Sequence, residues 1–438
     1  MPDDAQRELI RASGLFDAEF YRKSYADALD GWGDPLDHFL EVGLEKGYLP
    51  SAAFDPVLYR LTVPECGDAN PVLHRIASTK NFAAPPLTEV FPQTATKLPH
   101  IKGSPDLQLK RNRAYAKSAA DARELPLVAE GRTYTLRVPA PGTLLDRFRA
   151  DRPFAYARLP HGFWDSVWQR GMAEDALAAD ERTRGLPAEQ RRALAGRLCD
   201  TRYPHTGAFA PLFMDEVLAD VPAHAASPDF HRAVSFVGYP TFREIAVGDQ
   251  ATPRNTALRR LVAAHFRPDE PLYDGLYWKR LLISGHLRHL PGLCRSRPVV
   301  LVASRYFADL KARWELERFE HVLIPPSRSE YQRWALLERT QAAVAVALAA
   351  GSPAPVVLTQ CGGSLAFWLF TRLFARFPQV FYVDLGQALD GWFFDVAELR
   401  VYRWMKVYAR SVIAHCELEA FYRVLKGPSY EDWFRSLP

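Results

Sequence analysis

Val356-Val357-Leu358-Thr359-Gln360-Cys361-Gly362-Gly363-Ser364 is a short apolar run that ends in a glycine pair and leads into a helix-like stretch, 364–376. A run that is apolar at nearly every position, rather than at alternate ones, reads as a strand buried on both faces. Working outward, similar runs stand at 153–158, 233–238, 298–303, 321–325 and 379–384, with a helix-like segment at 330–350. Strand and helix in alternation over this length predict an α/β domain. Its sheet should be mainly parallel, Rossmann-like and flanked by helices.

The chain has 438 residues, enough for two or three domains. Hydrophobic residues make up 48% and charged residues 24%, a balance that excludes a disordered chain and a coiled-coil rod. The longest apolar run, 342–350, is far short of the ~20 residues that cross a bilayer. The first residues carry acids and no apolar core of a secretory signal, so a cytoplasmic location is expected. The five cysteines are widely spaced and form neither a CxxC zinc pair nor a disulfide framework. A net charge of +4 does not by itself imply nucleic acid, and none is expected as a partner.

The first ~80 residues hold an imperfect repeat. Phe16-Asp17-Ala18-Glu19-Phe20-Tyr21 is echoed by Phe54-Asp55-Pro56-Val57-Leu58-Tyr59. Asp34-Pro35-Leu36-Asp37-His38 is echoed by Asn70-Pro71-Val72-Leu73-His74. In each copy the aspartate is placed to cap one helix, and Asp-Pro or Asn-Pro to start a second. Residues 1–80 are therefore read as a small all-helical module, and 81–129 as a proline-rich linker with a basic helix near 107–117. Such a basic stretch is compatible with a peripheral position at the inner face of the cell membrane, or with a solvated helix face. Residues 130–395 form the α/β domain and 396–438 a helical extension, with helix-like stretches at 401–410 and 417–426.

In an open parallel sheet, ligands bind beyond the carboxyl ends of the strands. Arg158, His161, Gly162 and Asp165 follow the first run, Arg305 the third, Ser327 and Arg328 the fourth. Gln360, Gly362 and Gly363 follow the fifth; Asp384, Asp390 and Trp392 follow the last. Arginine forks match phosphate oxygens, and bare amides at a helix start favour an anion. Carboxylates there can act as a general base or hold hydroxyls. The set suits a phosphorylated, hydroxyl-rich ligand such as a sugar nucleotide. Each signal has a plainer reading: glycine also permits close helix–sheet packing, and Trp392 also reads as core. The chain has no GxGxxG dinucleotide fingerprint, no GxxxxGK[ST] loop, no GxSxG elbow and no HExxH pair.

The order of these elements resembles that of bacterial glycosyltransferases of the GT-D fold, over about 130–392. The similarity is clearest in Val299-Val300-Leu301-Val302, Leu323-Ile324-Pro325-Pro326-Ser327, the 356–363 run and Phe381-Tyr382-Val383-Asp384-Leu385-Gly386-Gln387-Ala388-Leu389-Asp390-Gly391-Trp392. The family closes its catalytic domain with a similar strand, Asp-x-Gly turn, second Asp and downstream Trp. Its first strand runs into Arg-x-Gly-Asp-Gly-Glu, whose acids help to hold a divalent metal and the nucleotide diphosphate. Here the segment reads Arg158-Leu159-Pro160-His161-Gly162-Phe163, with imidazole and phenyl at the acid positions. Neither replaces a carboxylate around Mg²⁺ or Mn²⁺, so the motif does not support either ion as a cofactor, though it leaves one open. Without one, the leaving diphosphate would be neutralised by protein groups, at about 3–4 kcal/mol for each well-placed donor. The amino-terminal repeat resembles helical modules attached to bacterial polysaccharide glycosyltransferases.

The resemblance implies a transferase moving sugar from a nucleotide-sugar donor to a glycan, lipid-linked or protein acceptor, in cell-surface polysaccharide biosynthesis. Asp384 and Asp390 are its candidate catalytic residues. Arg158, His161, Gly162, Asp165, Arg305, Ser327, Arg328, Gln360, Gly362, Gly363 and Trp392 are the candidate donor-binding residues. The alternative is a non-catalytic glycan- or partner-binding module descended from such an enzyme.

Overall fold

A nine-stranded sheet organises the larger part of the chain. In a computed structural model, residues 2–78, 85, 87–91, 123–202, 210, 212–234, 253–283, 285–325, 328–351, 353–393, 423 and 426–436 are described. The strands are β1 (Arg123–Ala129), β2 (Arg132–Val138), β3 (Ala155–Leu159), β4 (Phe230–Val234), β5 (Leu272–Asp274), β6 (Pro298–Ala303), β7 (Arg318–Leu323), β8 (Val356–Gln360) and β9 (Phe381–Asp384). Their spatial order is β1-β2-β5-β4-β3-β9-β8-β6-β7. Only β1 runs antiparallel to its neighbour. The fold is therefore α/β with a mainly parallel sheet, as the alternation of runs predicts.

The apolar runs do what two-sided burial requires: every residue of β4, β6 and β9 is buried. One face carries a core that includes Phe148, Trp278, Leu282, Phe307, Trp314, Phe381 and Trp392. The other face is covered by the helix Gly363–Arg376, which packs on β3 and β9 and buries most of its length. Burying each large apolar side chain is worth about 1.5–3 kcal/mol, so this two-sided core fixes where the strand ends lie.

Three strands were not expected. β1 and β2 form a hairpin closed by Glu130 and Gly131, at φ 49° and 71°, the left-handed pair that a two-residue turn demands. Reading 81–129 as linker and basic helix is thus corrected: its last seven residues are β1. Pro126 hid that strand, and it is tolerated because β1 is an edge. β5 is only three residues long. The basic stretch 107–117, the tail stretch 401–410 and nearly all of 417–426 lie outside the described residues. Within the tail, Tyr430 is buried in the sheet's own core, so this part of 396–438 is not a separate extension.

The chain divides into two compact units, each discontinuous. The first comprises 1–99, 165–216 and 330–334; the second comprises 100–164, 217–329 and 335–438. This differs from the expected division at residue 80. In the first unit, Asp17, Asp34, Asp55 and Asn70 each accept bonds from free amides of the helices Ala18–Ser24, Pro35–His38, Pro56–Thr62 and Pro71–Ala77. Proline stands at the start of the last three, where no N–H is needed.

The repeat extends to a side-chain bond. Tyr21 meets His38 Nδ1 at 2.9 Å, and Tyr59 meets His74 Nδ1 at the same distance. Phe16 packs on Tyr21 and Phe54 on Tyr59, with ring centroids 5.5 and 5.4 Å apart. The repeat buries a core of its own, from Ile10 through Phe39 and Tyr59 to Val72, and packs a second apolar patch on later residues. Val57 and Leu58 share a cluster with Leu177, Leu194 and Leu198, and Arg197 lies 2.8 Å from Asp55.

Candidate functional site

The parallel register aligns the carboxyl ends of β3, β9 and β8. Tyr156 is paired with Val383, and Asp384 with Thr359. This brings an arginine and a carboxylate together although they are 226 residues apart in sequence. Arg158 Nε donates to Asp384 Oδ2 at 2.7 Å, and its Nη2 to Oδ1 at 3.0 Å, a two-pronged fork. Asp384 is fully buried, and Thr359 Oγ1 donates to its Oδ1 at 3.3 Å. Gly386, at φ 49°, lies against this fork: a Cβ there would stand 1.9 Å from Arg158 Nη2. Gly386→Ala is therefore expected to push the guanidinium aside and cost about 1–3 kcal/mol, read as a lower urea midpoint.

The other acid is different. Asp390 sits in the short helical turn Gly386–Trp392, 2% exposed, and accepts from Gln360 Nε2 at 3.5 Å. Burial pushes its carboxyl up to about 7, against the weaker opposing effect of the Gln360 bond. It is therefore a carboxyl poised to take or give a proton near neutral pH. After β8, the neighbour of β9, the chain turns at Gly362, φ 88°, and begins the helix Gly363–Arg376 with no side-chain cap. The amides of its first turn lack intrahelical partners and carry the positive end of the helix dipole.

Lys279 is a residue the sequence reading missed. It lies on the helix Tyr277–Ile283, beyond the end of β5, and its ammonium is lowered to about 8 by burial first and by the Arg158 charge second. Its only sequence signal is position, after a strand of three residues that carries no legible pattern. Burial, then the nearby Asp384, raises the Cys361 thiol, so this cysteine is held as a neutral thiol rather than a nucleophilic thiolate.

Of the expected donor-binding residues, Arg158, Gln360, Gly362 and Gly363 stand with Asp384 and Asp390 at these strand ends. Gly162 is in the first turn of the helix His161–Ala179. The side chain of His161 and all of Ser327 lie outside the described residues. Asp165 is buried and belongs to the first unit. Arg305 is exposed after β6, its guanidinium 5.6 Å from the Tyr306 ring, and Arg328 is exposed after β7 at φ 54°. Trp392 is 1% exposed and meets Trp314 edge-on at 5.1 Å, so it is core rather than a stacking platform.

The donor set does not suit a divalent cation. Phe163, at an acid position of the resembled motif, offers no ligand and is buried. Both Asp384 oxygens are bonded to Arg158. Among the described residues, no three His, Cys, Asp or Glu side chains converge as metal ligands. No described helix is long and apolar enough to cross a membrane. Comparison of the chain with protein-family models, curated proteins and solved structures gives no match in any of the three.

Proposed function

We propose that the chain is a glycosyltransferase that takes a nucleotide-sugar donor and passes its sugar to a hydroxyl of a glycan, a lipid-linked sugar or a protein. One observation carries this reading. A buried carboxyl pushed to about 7 stands at the carboxyl ends of parallel strands, beside the uncapped start of a 14-residue helix. The two features suit the two charges of the reaction. Asp390 takes the acceptor proton as the acceptor oxygen forms its bond to the anomeric carbon. The bond from that carbon to the diphosphate breaks, and its electron pair leaves with the phosphate. The helix amides, Arg158 and Lys279 face that developing charge. Fixed donors in a dry site need no reorganisation at the moment of reaction. Asp384 cannot share the base role, because both its oxygens are bonded to Arg158; it positions that arginine instead.

The test is release of nucleoside diphosphate from a panel of uridine, guanosine and cytidine sugar nucleotides by the full chain, in EDTA and again with Mn²⁺. Release in EDTA is expected, and Asp390→Asn should lower turnover by about 10²–10⁴-fold. No calorimetric binding of any nucleoside diphosphate would overturn the reading.

A glycan-binding role without catalysis is the second reading, favoured by a cavity of about 310 Å³ inside the first unit. Tyr25 and Tyr48, stacked at 4.2 Å, line it together with Lys46, Arg170, Arg192 and Arg197. Glycan binding with no affinity for nucleotide would select it.

A further inference from the structure

β7 ends the sheet: among the described residues it pairs only with β6. Beside it, the helix Arg333–Ala349 leaves an apolar groove lined by Ala342, Ala343, Val346 and Ala350. Four large apolar side chains are notably exposed among the described residues, and two of them, Leu323 (48%) and Val346 (74%), are at this edge. A bare edge beside an apolar groove invites another strand.

The backbone decides which register that strand could take. Ile324 N–H donates to Ala303 O, so even-numbered residues of β7 turn their amides and carbonyls toward β6. Phe319, His321 and Leu323 therefore turn theirs outward. Leu323 O already accepts from Arg339 Nη2 at 3.1 Å, which closes the carboxyl end of the edge and leaves Phe319 and His321 to pair.

The side chains then select the occupant. The edge reads Glu317-Arg318-Phe319-Glu320-His321. Laid antiparallel on a copy of itself with Phe319 at the two-fold axis, Arg318 faces Glu320 of the copy and Glu320 faces Arg318. Each Arg318–Glu320 pair sets opposite charges together, whereas His321, its imidazole bonded to Ala303 O and its proton affinity lowered by burial, brings no charge to the contact. Residues of equal parity share a face, as pairing requires. Centring on Glu320 instead would set two glutamates against each other; centring on His321 would set Glu320 against Val322. Glu320 has no ion-pair partner among the described residues. Arg318 lends its guanidinium to two backbone carbonyls, Ser296 O and Ala350 O, and to no carboxylate.

We propose that two copies of the chain associate through β7, antiparallel about Phe319, and join their sheets into one. Phe319 of each copy exchanges two backbone bonds with its counterpart; Glu317, which precedes the strand and bonds its N–H to Arg295 O, takes no part. The groove beside the strand, with Val346, is covered by the same contact. Opposite charges across strands attract and like charges repel, and the symmetry doubles each effect.

The test uses the full chain in analytical ultracentrifugation across a concentration series. Wild type is expected to sediment with twice the 49.5 kDa chain mass. Glu320→Arg, which faces Arg318, and Arg318→Glu, which faces Glu320, should each weaken the dimer at least about tenfold. The swap Arg318→Glu with Glu320→Arg should restore it, which no merely misfolded variant would do. A wild-type monomer at every concentration, or a dimer indifferent to the single changes or not rescued by the swap, would overturn the proposal.

Discussion

Arg158→Met is expected to lower stability by about 3–5 kcal/mol in urea denaturation at pH 7. The change leaves Asp384 fully buried with its main partner gone, and Thr359 Oγ1 at 3.3 Å is a poor substitute for a two-pronged guanidinium. Asp384→Leu should cost a similar amount for the reciprocal reason. Together, Arg158→Met and Asp384→Leu should cost far less than their sum, because an apolar pair of similar volume replaces the ion pair. A single change costing under about 1 kcal/mol would mean that the pair is wet and serves no positioning purpose. Because Arg158 lies at the end of β3 and Asp384 at the end of β9, the same experiment reads whether this bond holds the central strand ends in line.

Asp390→Asn should move stability the other way. In the unfolded chain this carboxyl titrates near 3.8, in the folded protein at about 7. Between those values the folded state holds the proton more tightly, so wild-type stability falls as pH rises from about 4 to 7 and stays low above it. The asparagine carries no charge to bury. At pH 8 it should be more stable than wild type by up to roughly 4 kcal/mol, and at pH 4 the two should match. Denaturation at both pH values checks the sign. If the carboxyl is also the base, turnover in wild type rises through about pH 7 and is lost in the more stable variant. Stability gained at the expense of activity is what a carboxyl kept for chemistry would give.

Much of this site is legible in the sequence. Asp384 and Asp390 close an apolar run, and Arg158 and the Gly362-Gly363 turn end two others. A buried parallel sheet must bring such strand ends to one side. The sequence could not say that Arg158 and Asp384 would spend their charges on each other, because that depends on β9 lying next to β3. Strand order is set by crossovers, not by anything local. Lys279 was hidden behind a three-residue strand, and β1 behind a proline. The helix caps of the first unit were fully readable, since Asp17, Asp34, Asp55 and Asn70 act within three residues. Its discontinuity was not, because Leu194 and Leu198 join Val57 and Leu58 only through packing.

That discontinuity sets a timetable for synthesis. Val57 and Leu58 meet Phe91 soon after they are made, but Leu177, Leu194 and Leu198 of the same cluster follow only about 120 to 140 residues later. The first unit is complete only with residues 330–334. Until then the nascent chain carries bare leucines and valines, a state that chaperones recognise. A fragment ending near residue 99 would keep both Tyr–His pairs and the aromatic core around them, and would leave Val57 and Leu58 without Leu177, Leu194 and Leu198.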